Sequence, residues 1–326
     1  MRRYILKRVL QTIPLLVGIS LLTFVLLQLT PGDFLNQMAE NPGIAPEAID
    51  AMRRRFGLDQ PWYIQYALYL QNLVLHFDFG ESFSRHQPVF TVLREGLGNT
   101  LLLAVASAVV TWGLAVPLGI WAAVRQHSWV DRLLSLIAFV WLSIPEILSG
   151  LLLLMLAART GWFPVGGMRS LDYDDLTAWG QFLDLAHHLA LPALVVGLIP
   201  LASRMRQMRS NLLDVLRLDY VTTARAKGLD ERVVVFKHAL RGGVQPVVAF
   251  LAPATANLLT GSFVVETIFQ VPGLGREFVE AAFNRDYTMI IGTVLVYAFL
   301  VMALNLVADV VQALLDPRVR QGHAHG

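Results

Sequence analysis

The sequence predicts an all-α integral membrane protein with six transmembrane helices, and three observations predict it. The 326 residues are 55% hydrophobic with a mean hydropathy of +0.55, and only 15% are charged. That is too apolar and too sparsely charged for a soluble domain. Six stretches, roughly 9–30, 99–124, 133–158, 188–207, 244–268 and 288–315, reach the about 20 mostly apolar residues that a bilayer crossing requires. Basic side chains are sorted unevenly among the connecting segments, which orients the chain.

The first stretch follows Arg2, Arg3, Lys7 and Arg8. A basic start before an apolar run also marks a signal peptide. This run, Val9 to Thr30, is too long for one and lacks a small-residue cleavage site, so a retained helix is expected. The basic start places the N-terminus in the cytoplasm, and an even number of crossings returns Arg318 and Arg320 to the same side. The turn carrying Arg125 and Arg132 falls there too. Residues 31–98, by contrast, carry five basic against eight acidic side chains and are expected outside. The expected organisation is therefore a first transmembrane helix (1–30), an extracytoplasmic helical segment (31–98), a five-helix core (99–316) containing a cytoplasmic loop (208–243), and a short cytoplasmic tail (317–326).

In the outer segment, Pro31-Gly32-Asp33 ends the first helix with a turn. Ala45-Pro46-Glu47 starts a new helix, with proline and an acid in its first turn. The aromatic-rich stretch from Trp62 to Phe79 reads as a helix along the membrane interface. This segment is either a platform for a docking protein, with Asp33, Arg55, Asp59 and Trp62 as candidate contacts, or a lid over the helix ends.

Within the spans, Glu146 follows Pro145 near the middle of the third stretch. A carboxylate facing lipid there costs roughly 2.5–3.5 kcal/mol, so it should face a cavity or a partner. Lining a translocation path is one reading; a neighbouring helix satisfying it structurally is the other. Asn257 and Thr260 share a face of the fifth stretch and either line the same path or act as packing contacts. Pro117, Pro145, Pro192, Pro200 and Pro253 each remove a backbone donor and permit a kink.

The loop before the fifth stretch is the most distinctive. From Arg204 to Arg241 it holds nine basic residues against four acidic ones. Tyr220, Ala224 and Lys227 fall on a short helix rich in small residues. Gly228 can end that helix by taking positive φ, and Asp230 or Glu231 then starts a second piece. Such a pair makes either a knob for a groove on another protein or an ordinary surface-lying amphipathic loop.

The string DYVTTARAKGL…HALR…P in this loop resembles the EAA loop of bacterial ABC-importer permeases, in the oligopeptide/dipeptide/nickel branch. Thr222 stands where many members carry Glu, and Pro246 lies further beyond Gly228 than in shorter loops. Three more motifs resemble that branch in order. They are TPGD…GLD-P…DFG-S (Pro31, Gly32, Asp33, Gly57, Leu58, Asp59, Pro61, Gly80, Ser82), VVETIF…PGLG (Val265 to Gly275) and the terminal LDPR from Leu315. The resemblance implies a permease subunit forming half of a translocation pathway, paired with a second homologous permease as a heterodimer. It also implies two cytoplasmic ATPases that carry the ATP and Mg, an extracytoplasmic solute-binding protein, and a bacterial or archaeal plasma membrane. Asp219, Tyr220, Thr223, Ala224, Arg225, Ala226, Lys227, Gly228, Leu229 and His238 would form the ATPase-coupling surface. The cargo implied is a di- or oligopeptide, with a nickel chelate or glutathione as the alternative within the branch.

No phosphate loop G-x-x-x-x-G-K-[ST], H-E-x-x-H pair or G-x-S-x-G elbow occurs, so no catalytic residue, bound metal or cofactor is expected on this chain. The absence of cysteine removes disulfides and thiolate chemistry. His187-His188 is adjacent rather than at helical spacing and makes a poor metal pair. A stand-alone secondary transporter is the rival class, but it should show several buried carboxylates or two repeated halves with broken helices. Only Glu146 is deeply placed in the sequence, and no repeat is evident.

Overall fold

The computed structural model describes residues 2–32, 34–39, 45–55, 57–247, 258 and 262–315. Nearly all of this is helix, with one two-stranded antiparallel hairpin, β1 (Glu81–Ser82) and β2 (Gln87–Pro88). The chain forms two compact units. One joins Met1–Thr100 to Pro272–Ala303, and the other joins Leu101–Val271 to Leu304–Gly326.

In the first unit, α1 (Arg2–Leu29) is followed by α2 (Phe34–Ala39), α3 (Pro46–Arg55) and α4 (Trp62–His76). Pro46 and Glu47 open α3, as a fixed φ and a negative charge favour at a helix start. α4 packs along α1. The Tyr66 ring lies tilted against Phe24 at 5.4 Å, and its hydroxyl lies 2.9 Å from Ser20 Oγ and 3.1 Å from Val17 O. The unit also contains the start of α5 (Val89–Val124), and in the later part of the chain α13 (Leu274–Phe283) and most of α14 (Tyr287–Leu315). Phe24, Ile291 and Leu295 form its apolar cluster, with Tyr69 and Leu73 packed against it.

The fully buried Asp286 organises the other end of this unit. Its carboxylate accepts from Met289 N at 3.1 Å, capping α14, and from Ser82 Oγ at 2.7 Å and Ser84 N at 3.0 Å, fixing the hairpin. A buried carboxylate needs this full set of donors. Nearby, Arg85 Nη2 reaches Glu277 at 2.7 Å and Glu280 at 2.8 Å.

The second unit contains the rest of α5, then α6 (Trp129–Ser143), α7 (Glu146–Thr160), α8 (Ala178–Leu198), α9 (Leu201–Leu216), α10 (Asp219–Ala226) and α11 (Glu231–Val233). α11 runs into a π-helical turn, Val234–Ala239, and α12 (Phe263–Ile268) comes later. Small residues let these helices approach closely. A β-carbon at Gly197 would lie 2.7 Å from Ser107 O, and one at Gly119 2.7 Å from Met205 O. The Thr111 hydroxyl sits 2.7 Å from Gly197 O at the same α5–α8 crossing.

Among the described residues, four helices are long and apolar enough to cross a membrane: Leu10–Asn36, Val89–Val124, Ala178–Leu198 and Tyr287–Val310. The expected third span, 133–158, is not one straight helix. α6 and α7 form a bent pair at 99°, which makes a fifth span if the pair counts as one. The cause is local. Ile144 is extended (φ −86°, ψ 125°), as a residue preceding proline prefers, and Pro145 has no N–H to continue the ladder. The expected fourth span, 188–207, begins earlier and stops at Ile199-Pro200, after which α9 starts afresh. Pro117 and Pro192, in contrast, sit inside uninterrupted helices. Most of the expected fifth span, including Pro253, and the terminal motif from Asp316 lie outside the described residues.

Candidate functional site

The basic loop folds as two helical pieces around Gly228. Asp219 lies in the first turn of α10, where its charge suits the helix dipole. Thr223 Oγ1 donates to Asp219 O at 2.8 Å. After Lys227 the chain turns at Gly228, whose φ of +76° a side chain would resist although no atom crowds it. Asp230 then caps the second piece, accepting from Arg232 N at 2.7 Å.

The pieces are tied together across the turn. Arg225 grips Glu231 with two contacts, Nε to Oε2 at 3.1 Å and Nη2 to Oε1 at 2.7 Å, and Nη1 also reaches Leu216 O at 3.3 Å. Hydrogen bonding to Arg225 holds the Glu231 carboxyl below its ordinary range and raises the Arg225 guanidinium. Arg225 therefore braces the loop itself. Sequence spacing hides this pair, because six residues apart is not a helical neighbour distance; the Gly228 turn brings the two together.

One sequence-selected position, Ala224, turns inward, as does its neighbour Val221. Ala224 is 6% exposed and Val221 is fully buried, both within a cluster that includes Trp112, Met208, Leu212 and Val234. Ala224 is thus a packing residue that seats α10 on α9 and on the π-helical turn, and its small size serves that fit. Tyr220, Thr223, Ala226, Lys227 and Leu229 face outward, and His238 is half-buried. Phe236, which sequence reasoning passed over, is 62% exposed on the π-helical turn beside buried Val234 and Val235. Its signal was an aromatic between basic residues in an otherwise valine-rich run.

Glu146 lies in the first turn of α7, at the break of the bent pair, rather than midway along a continuous span. Its Oε1 is buried and has no hydrogen-bond partner. Asn257 and Thr260 lie outside the described residues, as do Asp33 and the side chain of Arg55. Asp59 and Trp62 are exposed in the turn before α4 and at its start. His187 and His188 are held by backbone carbonyls, Nε2 by Trp162 O at 2.8 Å and Nδ1 by Asp184 O at 2.9 Å. Among the described residues, no group of three or more His, Asp or Glu is placed to hold a metal ion.

Residues 115–321 match the family of binding-protein-dependent transport system inner membrane components, and residues 1–104 match its N-terminal counterpart. The chain is 40% identical over 321 residues to the oligopeptide transport system permease protein AppB of Bacillus subtilis (strain 168), covering 98% of this chain and 99% of that one. It is 37% identical over 337 residues to the dipeptide transport system permease protein DppB of Escherichia coli (strain K12), at the same coverage. Among solved structures, inward-facing conformations of the MetNI methionine ABC transporter align with a TM-score of 0.56 and 16% identity, over 70% of this chain and 97% of that one. That likeness speaks for the fold alone.

Proposed function

The chain belongs to the family of binding-protein-dependent transport system inner membrane components, the permease subunits of ABC importers, and from that premise we propose that it carries short peptides. The two relatives described above are named as oligopeptide and dipeptide permeases, and they align over almost the whole of this chain. In this family ATP hydrolysis lies in separate subunits. In this reading the chain is one half of a six-span-per-subunit pathway in a bacterial inner membrane, with both termini cytoplasmic, and a second, different permease is the other half. Two ATPases holding ATP and Mg seat on the 219–240 knob, and a solute-binding protein delivers the peptide near Asp33, Arg55, Asp59 and Trp62.

The observation that supports the coupling role is the build of the knob. It is anchored inward by Val221 and Ala224, braced by Arg225–Glu231, and presents Tyr220, Leu229 and Phe236 outward beside Lys227. A rigid projection transmits a displacement that a floppy loop would absorb. Closure of the ATPases on nucleotide would push this lever, and the pathway would alternate between inward- and outward-open states by differential stability. Glu146, with Asn257 and Thr260, would line that pathway, its free carboxylate oxygen offering an acceptor to the peptide ammonium group.

The absence of native cysteine makes the test direct. Phe236→Cys places a single thiol on this chain. It should crosslink to an ATPase subunit in the assembled importer and lose reactivity when that subunit binds. Equal thiol reactivity with and without the ATPase overturns the coupling role. Uptake of labelled di- and tripeptides by vesicles holding the full importer tests the cargo; uptake of a nickel chelate or glutathione alone overturns it.

A further inference from the structure

The first compact unit holds a cavity of about 450 Å³ that coupling and peptide transport do not use. This size is ordinary for a small-molecule site. Its floor is apolar: Phe24 and Leu27 of α1 and Ile291 of α14. Its rim is charged. Arg54, near the end of α3, and Arg285, just before α14, both line it, and neither guanidinium has an ion-pair or hydrogen-bond partner among the described residues. Glu81 lines the same cavity, and its side chain is likewise unpaired. The Tyr69 hydroxyl, buried and without a partner, belongs to the lining too. A second cavity of about 210 Å³ shares Leu27, Gln28, Leu58, Gln65 and Tyr287 with the first and extends it along α1.

Two unpaired guanidiniums, one unpaired carboxylate, one free hydroxyl and an apolar floor define a ligand with both charges and a greasy tail. The location narrows it further. Gln28 and Leu27 belong to the segment Leu10–Asn36 and Ile291 to Tyr287–Val310, so the cavity lies where two candidate membrane spans end. Leu68 both lines the cavity and is exposed, and exposed Ile64 and Leu75 lie one and two turns from it on the same face of α4. A chain leaving the cavity past Leu68 meets the apolar side chains of Ile64 and Leu75.

We propose that this cavity binds one aminophospholipid, a glycerophospholipid whose headgroup carries a phosphate and an ammonium. The phosphate diester sits between Arg54 and Arg285, since guanidinium groups match phosphate oxygens in geometry and charge. The ammonium lies against Glu81. The Tyr69 hydroxyl donates to a glycerol or ester oxygen, and the acyl chains leave past Leu68. A free phosphate would leave the floor empty, and a soluble zwitterion would gain nothing from the open apolar doorway.

The test uses the complete importer, purified in detergent and passed through nanodiscs of phosphatidylethanolamine, phosphatidylglycerol or phosphatidylcholine, with retained lipid counted by native mass spectrometry. Phosphatidylethanolamine should be retained per copy of this chain in preference to the other two. Arg54→Gln combined with Arg285→Gln should lower that occupancy about tenfold or more. Glu81→Gln should abolish the preference over phosphatidylglycerol while phosphate-bearing lipid is still retained. Leu68→Trp, which blocks the doorway without touching a charge, should lower occupancy for every lipid. Parental retention in all these variants, no headgroup preference, or displacement of the lipid by inorganic phosphate or dialanine each overturns the proposal.

Discussion

Arg209 of α9 holds Asp131 of α6 with both arms of its guanidinium, Nε to Oδ1 at 2.9 Å and Nη2 to Oδ2 at 2.7 Å. Asp131 is 6% exposed and also accepts from His127 N at 3.1 Å, so one carboxylate joins the turn before α6 to the helix that leads into the knob. Removing one member of a largely buried pair leaves the other without compensation. Arg209→Ala is therefore expected to cost about 2–4 kcal/mol, below the fully buried range because Arg209 keeps some solvent contact. Thermal unfolding of the purified importer checks this, and a parental midpoint would mean the pair is energetically idle.

Gly228 takes a conformation that proline cannot adopt and alanine adopts only with strain, of about 1–2 kcal/mol. Gly228→Pro should leave membrane insertion intact while abolishing the stimulation of ATP hydrolysis by loaded binding protein. Gly228→Ala should fall between. The readout is ATPase activity of reconstituted importer with and without peptide-bound binding protein, and full stimulation in the proline variant would separate the turn from coupling.

Ala224 and Phe236 should behave as opposites. Ala224→Leu forces extra volume among Trp112, Met208 and Leu212, at about 1–3 kcal/mol of overpacking, so the fold itself should weaken. Phe236→Ala removes an exposed ring and should leave stability unchanged while weakening ATPase binding by about tenfold, as an aromatic anchor at an interface does. Melting curves and ATPase pull-down affinities, measured on both variants, distinguish the two roles.

Glu146→Gln keeps the shape of the side chain and removes its charge. If the free carboxylate oxygen meets the peptide ammonium, KM for peptide uptake should rise about tenfold while basal ATP hydrolysis is unchanged. N-acetylated peptides, lacking the ammonium, should discriminate less between the two proteins. Identical uptake kinetics for both peptide types would remove Glu146 from the path.

Burial pushes the Glu277 carboxyl above its ordinary range against the opposing pull of Arg85. The native state then keeps its proton to higher pH than the unfolded chain does. Stability accordingly falls as pH rises from the unfolded value of 4.5 through the raised native one. Glu277→Gln should flatten that part of the stability–pH curve, read as melting midpoints from acid to neutral pH. An unchanged slope would assign the dependence to another group.

Legibility differed from residue to residue for physical reasons. The break at Gly228 and the cap at Asp230 could be read because each depends on a few adjacent residues and a backbone rule. The inward turn of Ala224 could not, since a small residue suits a docking face and a crowded core alike. Arg225–Glu231 was hidden because the pair meets only after the turn has formed. For Glu146, position along an apolar run equals depth only in a straight helix, and Pro145 breaks this one. Prolines alone could not say which helices break. Pro192 is accommodated within α8, whereas Pro145 and Pro200 stand at helix junctions.

The wide turn Val234–Ala239 changes what the knob can do mechanically. A π turn stores one residue more than an α turn, so the rod from Glu231 toward residue 247 has slack built into its winding. Tightening it by one residue would lengthen that rod by about 1.5 Å and rotate everything beyond it by about 100°. A push at Phe236 can thus emerge as a twist further along the chain, with no hinge required.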